Sequence, residues 1–252
     1  MEPVYREFAP RFRLIFRAWR YRLRTDPAEI AFLRSRIRPG QTAIDAGAHK
    51  GAYTYWMHAR VGPSGRVFAF EPLPHLAAYL RHVQRVFPLR RLTVVEAALA
   101  DGIGEASLFM PERGYQGPTT LHPQSDGHVA FRVKTDTLTA FCDRNGARPV
   151  HFIKADVEGY EWEVFRGGER VLREDMPILL FECADFLRGG GRIDRVFPYL
   201  ESLGYEGYFF PGGRMEPVRN FRVDKHQKEP GPDWCMNFGF VPRRHVRRRT
   251  NP

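Results

Sequence analysis

From residue 42 onward the chain alternates between two hydrophobic rhythms. Short apolar runs at 42–46, 66–71 and 92–97 read as buried strands. The stretches at 52–61 and from Pro74 to about Phe87 repeat apolar positions at three- and four-residue intervals and read as helices. Pro88 closes the second of these helices. Such alternation predicts parallel strands joined by right-handed helical crossovers. Residues 101–135 break the rhythm: strands are predicted at 106–110 and 128–134, with a Gly/Pro/Ser/His-rich loop between them. Helical spacing returns at 138–145. A strand at 150–155, a helix at 162–172 and a strand at 178–182 follow, and a Gly189–Gly190–Gly191 hinge precedes a helix at 193–203. A strand pair at 205–210 and 236–241, joined by a long Pro/Gly-rich connection, closes the pattern.

The first 39 residues follow another rule. Phe8, Phe12, Ile15, Phe16, Trp19 and Leu23 fall on one face of a helix, and Arg6, Arg13, Arg17, Arg20 and Arg24 lie largely on the other. Such a helix suits an anionic membrane surface or a polyanion. The preferred reading is a helix docked on the domain by its apolar face, with the arginines in solvent. Thr25–Asp26–Pro27 reads as a cap with Pro at the first position of a second helix, ending near Arg36. Residues 1–39 therefore read as a basic helical segment, 40–242 as an α/β domain and 243–252 as a basic, disordered tail.

Composition narrows the classes. Of 252 residues 43% are hydrophobic, which excludes a disordered chain. No apolar run approaches the roughly 18–20 residues that span a bilayer, and arginines interrupt every short apolar run near the N-terminus. Cys142, Cys183 and Cys235 are odd in number and widely spaced, as in free thiols of a reducing compartment. A cytoplasmic location follows as the expectation. The net charge of +10 is concentrated in the arginines of the two ends, so basicity is assigned to appendages and not to the domain.

The chemistry centres on the turn after the first strand, Asp45-x-Gly47-Ala48-His49-x-Gly51. A dinucleotide fingerprint places glycines where this chain has His49 and Ala52. The acid before the turn suits a ligand with an amino acid moiety: Gly47 and Gly51 allow close backbone approach, and Asp45 anchors a cationic group directly or through water. Ala48, His49 and Tyr53 belong to the same turn and helix start. Glu71, at the end of the second strand, is positioned to accept two ribose hydroxyls. Leu99, Ala100 and Asp101 would border an adenine, with Asp101 accepting from its amine. The second constellation, Lys154-x-Asp156-Val157-Glu158-Gly159-x-Glu161, places charges where an apolar strand ends, which is where ligands bind in parallel sheets.

Taken with Phe70-Glu71-Pro72, Phe181–Glu182 and the closing Asn237–Phe238–Gly239–Phe240–Val241–Pro242, these motifs resemble the FkbM family of methyltransferases over about residues 40–242. The resemblance implies a Rossmann-like class I fold, with a seven-stranded mostly parallel sheet, one antiparallel strand and helices on both faces. It implies S-adenosylmethionine as cofactor and O-methylation of a sugar or secondary metabolite. Within that frame Glu158 is the expected base, Asp156 orients donor or acceptor, and Lys154 pairs with an acid or polarises the acceptor; the reverse assignment of the two acids stays open. A divalent metal on Asp156, Glu158 and Glu182 is a further option that no spacing demands. His49 could touch either substrate, and the loop from Arg113 to Thr120 with His122 could form a lid. The competing classes are an RNA-directed methyltransferase and a non-catalytic nucleic-acid or membrane-surface binder using the basic ends.

Overall fold

The computed structural model describes residues 3–87, 89–111, 128–185 and 191–243. The expected lid at 113–122, most of the expected hinge, the side chains of Arg6 and Phe8, and the tail from residue 244 lie outside the described residues. Helix α1 (Pro3–Arg20) runs into a π-helical turn (Tyr21–Thr25) and then α2 (Pro27–Arg36). The alternating core follows as β1 (Thr42–Ala46), α3 (Ala52–Val61), β2 (Arg66–Phe70), α4 (Pro74–Val86) and β3 (Leu92–Val95). A side layer of β4 (Ala98–Leu99), β5 (Gly104–Pro111) and β6 (His128–Asp136) comes next. The chain continues through α5 (Leu138–Arg144), β7 (Phe152–Ala155), α6 (Glu161–Gly167), α7 (Glu169–Glu174) and β8 (Ile178–Glu182). It ends with α8 (Ile193–Ser202), β9 (Tyr205–Phe209), β10 (Glu216–Pro217), α9 (Val223–His226) and β11 (Asn237–Pro242).

The main sheet has the order β10-β9-β11-β8-β7-β1-β2-β3. From β8 to β3 the strands are parallel, while β11 runs antiparallel to both β8 and β9. The sheet therefore has eight strands where seven were expected, because the two-residue β10 pairs antiparallel on the edge of β9. The order also locates the ligand edge. From β1 the chain winds outward through β2 and β3, then returns to the other side of β1 as β7. The gap between β1 and β7 is the topological switch point, where strand ends splay apart and leave room for a ligand.

Two local expectations change for packing reasons. The strand expected over 92–97 stops at Val95, because Ala98 and Leu99 leave the main sheet to pair in parallel with Thr135 and Asp136. Leu73, Leu76, Leu108 and Val133 form a small second core beneath that layer. The helix expected over 162–172 is broken at Gly168 into α6 and α7. A Cβ on Gly168 would lie 2.7 Å from Leu138 Cδ2, and one on Gly167 only 2.1 Å from the Ala100 carbonyl oxygen. The two glycines let α5 and the β4 exit press directly on this helix.

Residues 3–36 pack on the sheet domain. Leu14 and Ala18 of α1 are buried, and Trp56 Nε1 on α3 donates to the Ala18 carbonyl at 2.9 Å. The face that docks is thus the one bearing Leu14 and Ala18, and not the aromatic face favoured by spacing alone. Asp26 does not cap α2 with its side chain. Its Oδ2 accepts instead from the Tyr53 hydroxyl at 2.9 Å, tying the helical segment to the turn region. Cys142, Cys183 and Cys235 are free and buried.

Candidate functional site

A cleft of about 810 Å³ opens at the switch point, walled by the segments after β1, β2 and β7, by β4 and by α1. The turn after β1 is held from both sides. Gly47 and Ala48 donate to the Phe70 carbonyl of β2 at 3.0 and 2.9 Å, and Asp156 donates back to the Ala46 carbonyl at 3.0 Å. Gly47 has φ +77, and a Cβ there would lie 1.9 Å from the Asp156 carbonyl oxygen. The first glycine is therefore required by the crossing of the two motif-bearing turns. Gly51 also has positive φ, +79, as it opens α3, but it stands behind the wall against Leu80 and Leu14. Its part is to turn the chain, not to admit a ligand.

Gly47, Ala48, His49, Tyr53, Glu71 and Leu99 line the cleft as expected, as do Lys154, Asp156 and Glu158. Asp45 does not. Its carboxylate is 0% exposed, with Oδ2 accepting from Thr54 Oγ1 at 2.5 Å and Oδ1 lying 3.9 Å from Lys154 Nζ. Register explains this, since Asp45 on β1 stands opposite Lys154 on β7. Asp45 lies beneath the floor, where burial raises its pKa against the opposing pull of Lys154 and the Thr54 hydrogen bond. Ala100 and Asp101 also lie off the cleft. The Ala100 carbonyl is pinned against Gly167, and Asp101 is left exposed to solvent.

Glu71 is aimed by the backbone. Oε1 accepts from Leu73 N at 3.0 Å and Oε2 from His49 N at 2.8 Å. Each oxygen keeps a second lone pair, so a carboxylate fixed at the sheet edge can still accept ribose hydroxyls. Burial pushes its pKa up to about 7 despite the two donors. His49, with φ +48, is moved the other way, to about 4, by burial and then by the neighbouring Lys50 and Arg17. It is therefore a neutral imidazole at physiological pH.

The floor is built by the turn after β7. Lys154 Nζ lies 3.0 Å from Asp156 Oδ2 and 4.9 Å from the Tyr53 ring centroid. Burial alone would lower the lysine's pKa, but Asp156 and Asp45 outweigh it and raise the value above the ordinary range. Glu161 braces the turn from behind: Oε1 accepts from Val157 N and Gly159 N, both at 3.2 Å, and Oε2 meets Arg192 at 3.3 Å. Glu158 sits at φ +51 on that braced turn. Burial, then Asp156 and Glu161, push its pKa up to about 7. Glu182 at the end of β8 is raised further by burial and the same acids.

This crowding has a thermodynamic signature. A carboxylate whose folded pKa is raised contributes stability at low pH that is lost as pH rises through the folded value. The ligand-free protein should therefore lose stability as pH rises from about 4.5, the ordinary carboxyl value, to about 7 through Glu71 and Glu158 and on to about 9 through Glu182. Glu182→Gln should flatten that slope. Urea unfolding across the window checks it, and an equal slope in both proteins would contradict the assignment.

Residue spacing did not reveal the wall that α1 supplies. Arg13, Phe16, Arg17 and Arg20 of α1 and Tyr21 of the following turn line the cleft, and Arg17 donates to the Lys50 carbonyl at 3.3 Å. The assignment of basicity to an appendage is thus corrected: three N-terminal arginines face the site. The signal was present in the recurrence of Arg13, Arg17 and Arg20 at four- and three-residue steps, which marks one helix face. Among the described residues no three His, Cys, Asp or Glu side chains are grouped to hold a metal ion.

Comparison with known proteins agrees with this architecture. Residues 45–206, more than half of the chain, match the model of the Methyltransferase FkbM domain. Over 152 residues the chain is 26% identical to the 2-O-methyltransferase NoeI of Sinorhizobium fredii, covering 54% of this chain and 60% of that protein. Among solved structures it is similar to methyltransferase FkbM from Methylobacillus flagellatus KT, with a TM-score of 0.52 and 16% identity over 92% of this chain and 55% of that one. A Streptococcus mutans protein solved in complex with SAH has a TM-score of 0.50 and 10% identity, over 85% of this chain and 96% of that one. The chain thus spans 60% of the curated relative's length and 55% of the Methylobacillus structure. At these identities the structural likeness establishes the fold, that of class I methyltransferases.

Proposed function

This chain belongs to the FkbM methyltransferase family, and we propose that it transfers the methyl group of S-adenosylmethionine to a hydroxyl of a sugar or secondary metabolite. The observation that carries the reading is the contact of the two motifs. The turn bearing Gly47 and the turn bearing Asp156 and Glu158 cross at one point and wall one cleft. The residues present fit the donor: Glu71 offers fixed acceptor lone pairs at the sheet edge, Leu99 and Leu108 offer an apolar wall, and the backbone after β1 is free of side-chain bulk at Gly47. The 2-O-methyltransferase activity named for the Sinorhizobium relative supports a hydroxyl acceptor.

When bound, the donor supplies an electrophilic sulfonium methyl. The protein's part is to hold the acceptor in line and to take its proton. Holding two reactants in register contributes up to roughly 7–11 kcal/mol in favourable cases. Glu158 takes the hydroxyl proton. Asp156, its Oδ2 occupied by Lys154 at 3.0 Å, hydrogen-bonds and orients the acceptor through its remaining oxygen. Lys154, buried between Asp45 and Asp156 and set over Tyr53, keeps Asp156 in place.

Protonation of Glu158 sets the pH dependence. With its pKa pushed up to about 7, the group is protonated below that value and cannot accept a proton. The expected result is a kcat that rises through about pH 7 and then levels. Labelled donor incubated with a panel of sugars and hydroxylated secondary metabolites, with products read by mass spectrometry, tests the whole reading. O-methyl products support it. Label entering RNA or protein and no small molecule would replace it.

A further inference from the structure

Among the described side chains of α1, the largest apolar ones lie on the face left toward solvent. Phe12, Phe16, Trp19 and Leu23 follow one another at steps of four, three and four residues, the last of them on the π-helical turn. They are 68%, 72%, 40% and 65% exposed. Single exposed apolar residues are ordinary, but a continuous stripe of four marks an interaction surface. The inner face of the same helix is already occupied by Leu14 and Ala18.

Beside this stripe runs a second one. Arg13, Arg17, Arg20 and Arg24 each stand one residue after an apolar member, hence about 100° further round the helix. No acidic residue occurs from Phe8 to Thr25. Phe16, Arg13 and Arg20 belong at once to these stripes and to the cleft wall. The two stripes therefore form the outer lip of the site.

Apolar side chains flanked on the same helix by arginines, with no acid among them, match the chemistry of a bilayer interface that carries anionic headgroups. We propose that α1 and the following turn seat the protein on an anionic lipid surface. Phe12, Phe16, Trp19 and Leu23 enter the acyl boundary, Arg13, Arg20 and Arg24 meet headgroup phosphates, and the cleft opens at the membrane plane. No described helix is long and apolar enough to cross a membrane, so the contact lies on the surface. A nucleic acid would engage the arginines but leave Leu23 and the phenylalanines in water or against phosphate. A two-fold pairing of two copies would cover the apolar stripe but bring the basic stripes close together. The lipid surface satisfies both stripes. The inference stands apart from the methyl-transfer reading.

Co-sedimentation with vesicles tests it, using phosphatidylcholine alone and phosphatidylcholine mixed with phosphatidylglycerol. The protein is expected to pellet with the anionic vesicles and to be released by salt, with little binding to the neutral ones. The double variant Phe12→Ser/Leu23→Ser should bind anionic vesicles at least about tenfold more weakly. Neither residue lines the cleft, so calorimetric binding of S-adenosylhomocysteine should be unchanged, showing that the fold is intact. Equal vesicle binding by the variant and the parent would overturn the proposal. So would no pelleting at low salt, retention by RNA in place of vesicles, or a dimer that the variant dissolves without any vesicle binding. Failure of the parent protein to bind S-adenosylhomocysteine would instead count against the methyl-transfer reading and leave the lipid result standing.

Discussion

Gly47→Ala should cost the protein its donor site, lowering affinity for S-adenosylhomocysteine at least about 100-fold and stability by more than about 3 kcal/mol. Two costs combine. A non-glycine residue at φ +77 carries about 1–2 kcal/mol of strain. The added Cβ would also stand 1.9 Å from the Asp156 carbonyl oxygen, a backbone atom that no rotamer change can move. The turns after β1 and β7 would have to separate, breaking the Asp156 N to Ala46 O bond of 3.0 Å. Gly51→Ala is the matched control. It carries similar backbone strain at φ +79, but its nearest neighbour is the end of the Leu80 side chain at 3.0 Å, which can rotate away. Its cost should stay near about 1–2 kcal/mol, with donor affinity retained. Thermal unfolding and calorimetry on both variants decide the matter. Similar losses in the two would mean that positive φ, and not the crossing of the turns, is what Gly47 provides.

The same crossing explains what could be read from sequence. Strand ends, glycine turns and charges emerging from apolar runs are local patterns, so the walls at Gly47, Glu71 and Lys154–Glu158 were legible. The burial of Asp45 off the cleft was not legible, because its partner, Lys154, reaches it through strand register across 109 residues of chain. Asp101 lies off the cleft because the Ala100 carbonyl beside it fills the space that Gly167, 67 residues further on, leaves open. On α1, spacing selected the face with more and larger apolar groups. The fold buries the smaller one, because Ala18 lets the helix come close enough for Trp56 to reach its carbonyl, and Leu14 seats beside Gly51. Close approach rewards small residues, and a periodicity count does not register it. The arginine wall of the cleft follows from that choice of face.

Glu158→Gln is expected to lower kcat by roughly 10²–10⁴-fold, the usual contribution of a positioned base. Donor affinity should be nearly unchanged, since Glu71 and the turn after β1 are left intact. Gln has the same length and can occupy the same backbone conformation at φ +51, so the loss would report the proton acceptor rather than the shape of the turn. The residual rate should lose the rise through about pH 7, because the group responsible for it is gone. Asp156→Asn provides the contrast. Asp156 holds Lys154 at 3.0 Å, and its removal leaves a buried ammonium with only Asp45, 3.9 Å away. That variant should therefore lose stability and kcat and raise the acceptor KM, while a rise in kcat with pH persists but moves below about pH 7, because Asp156 no longer helps push the Glu158 carboxyl up. The two acids are thus separable by how the losses divide between kcat, KM and stability, even though both line one cleft. If Glu158→Gln keeps the parent's turnover and Asp156→Asn alone abolishes it, the base is Asp156, and Glu158 serves to position the acceptor.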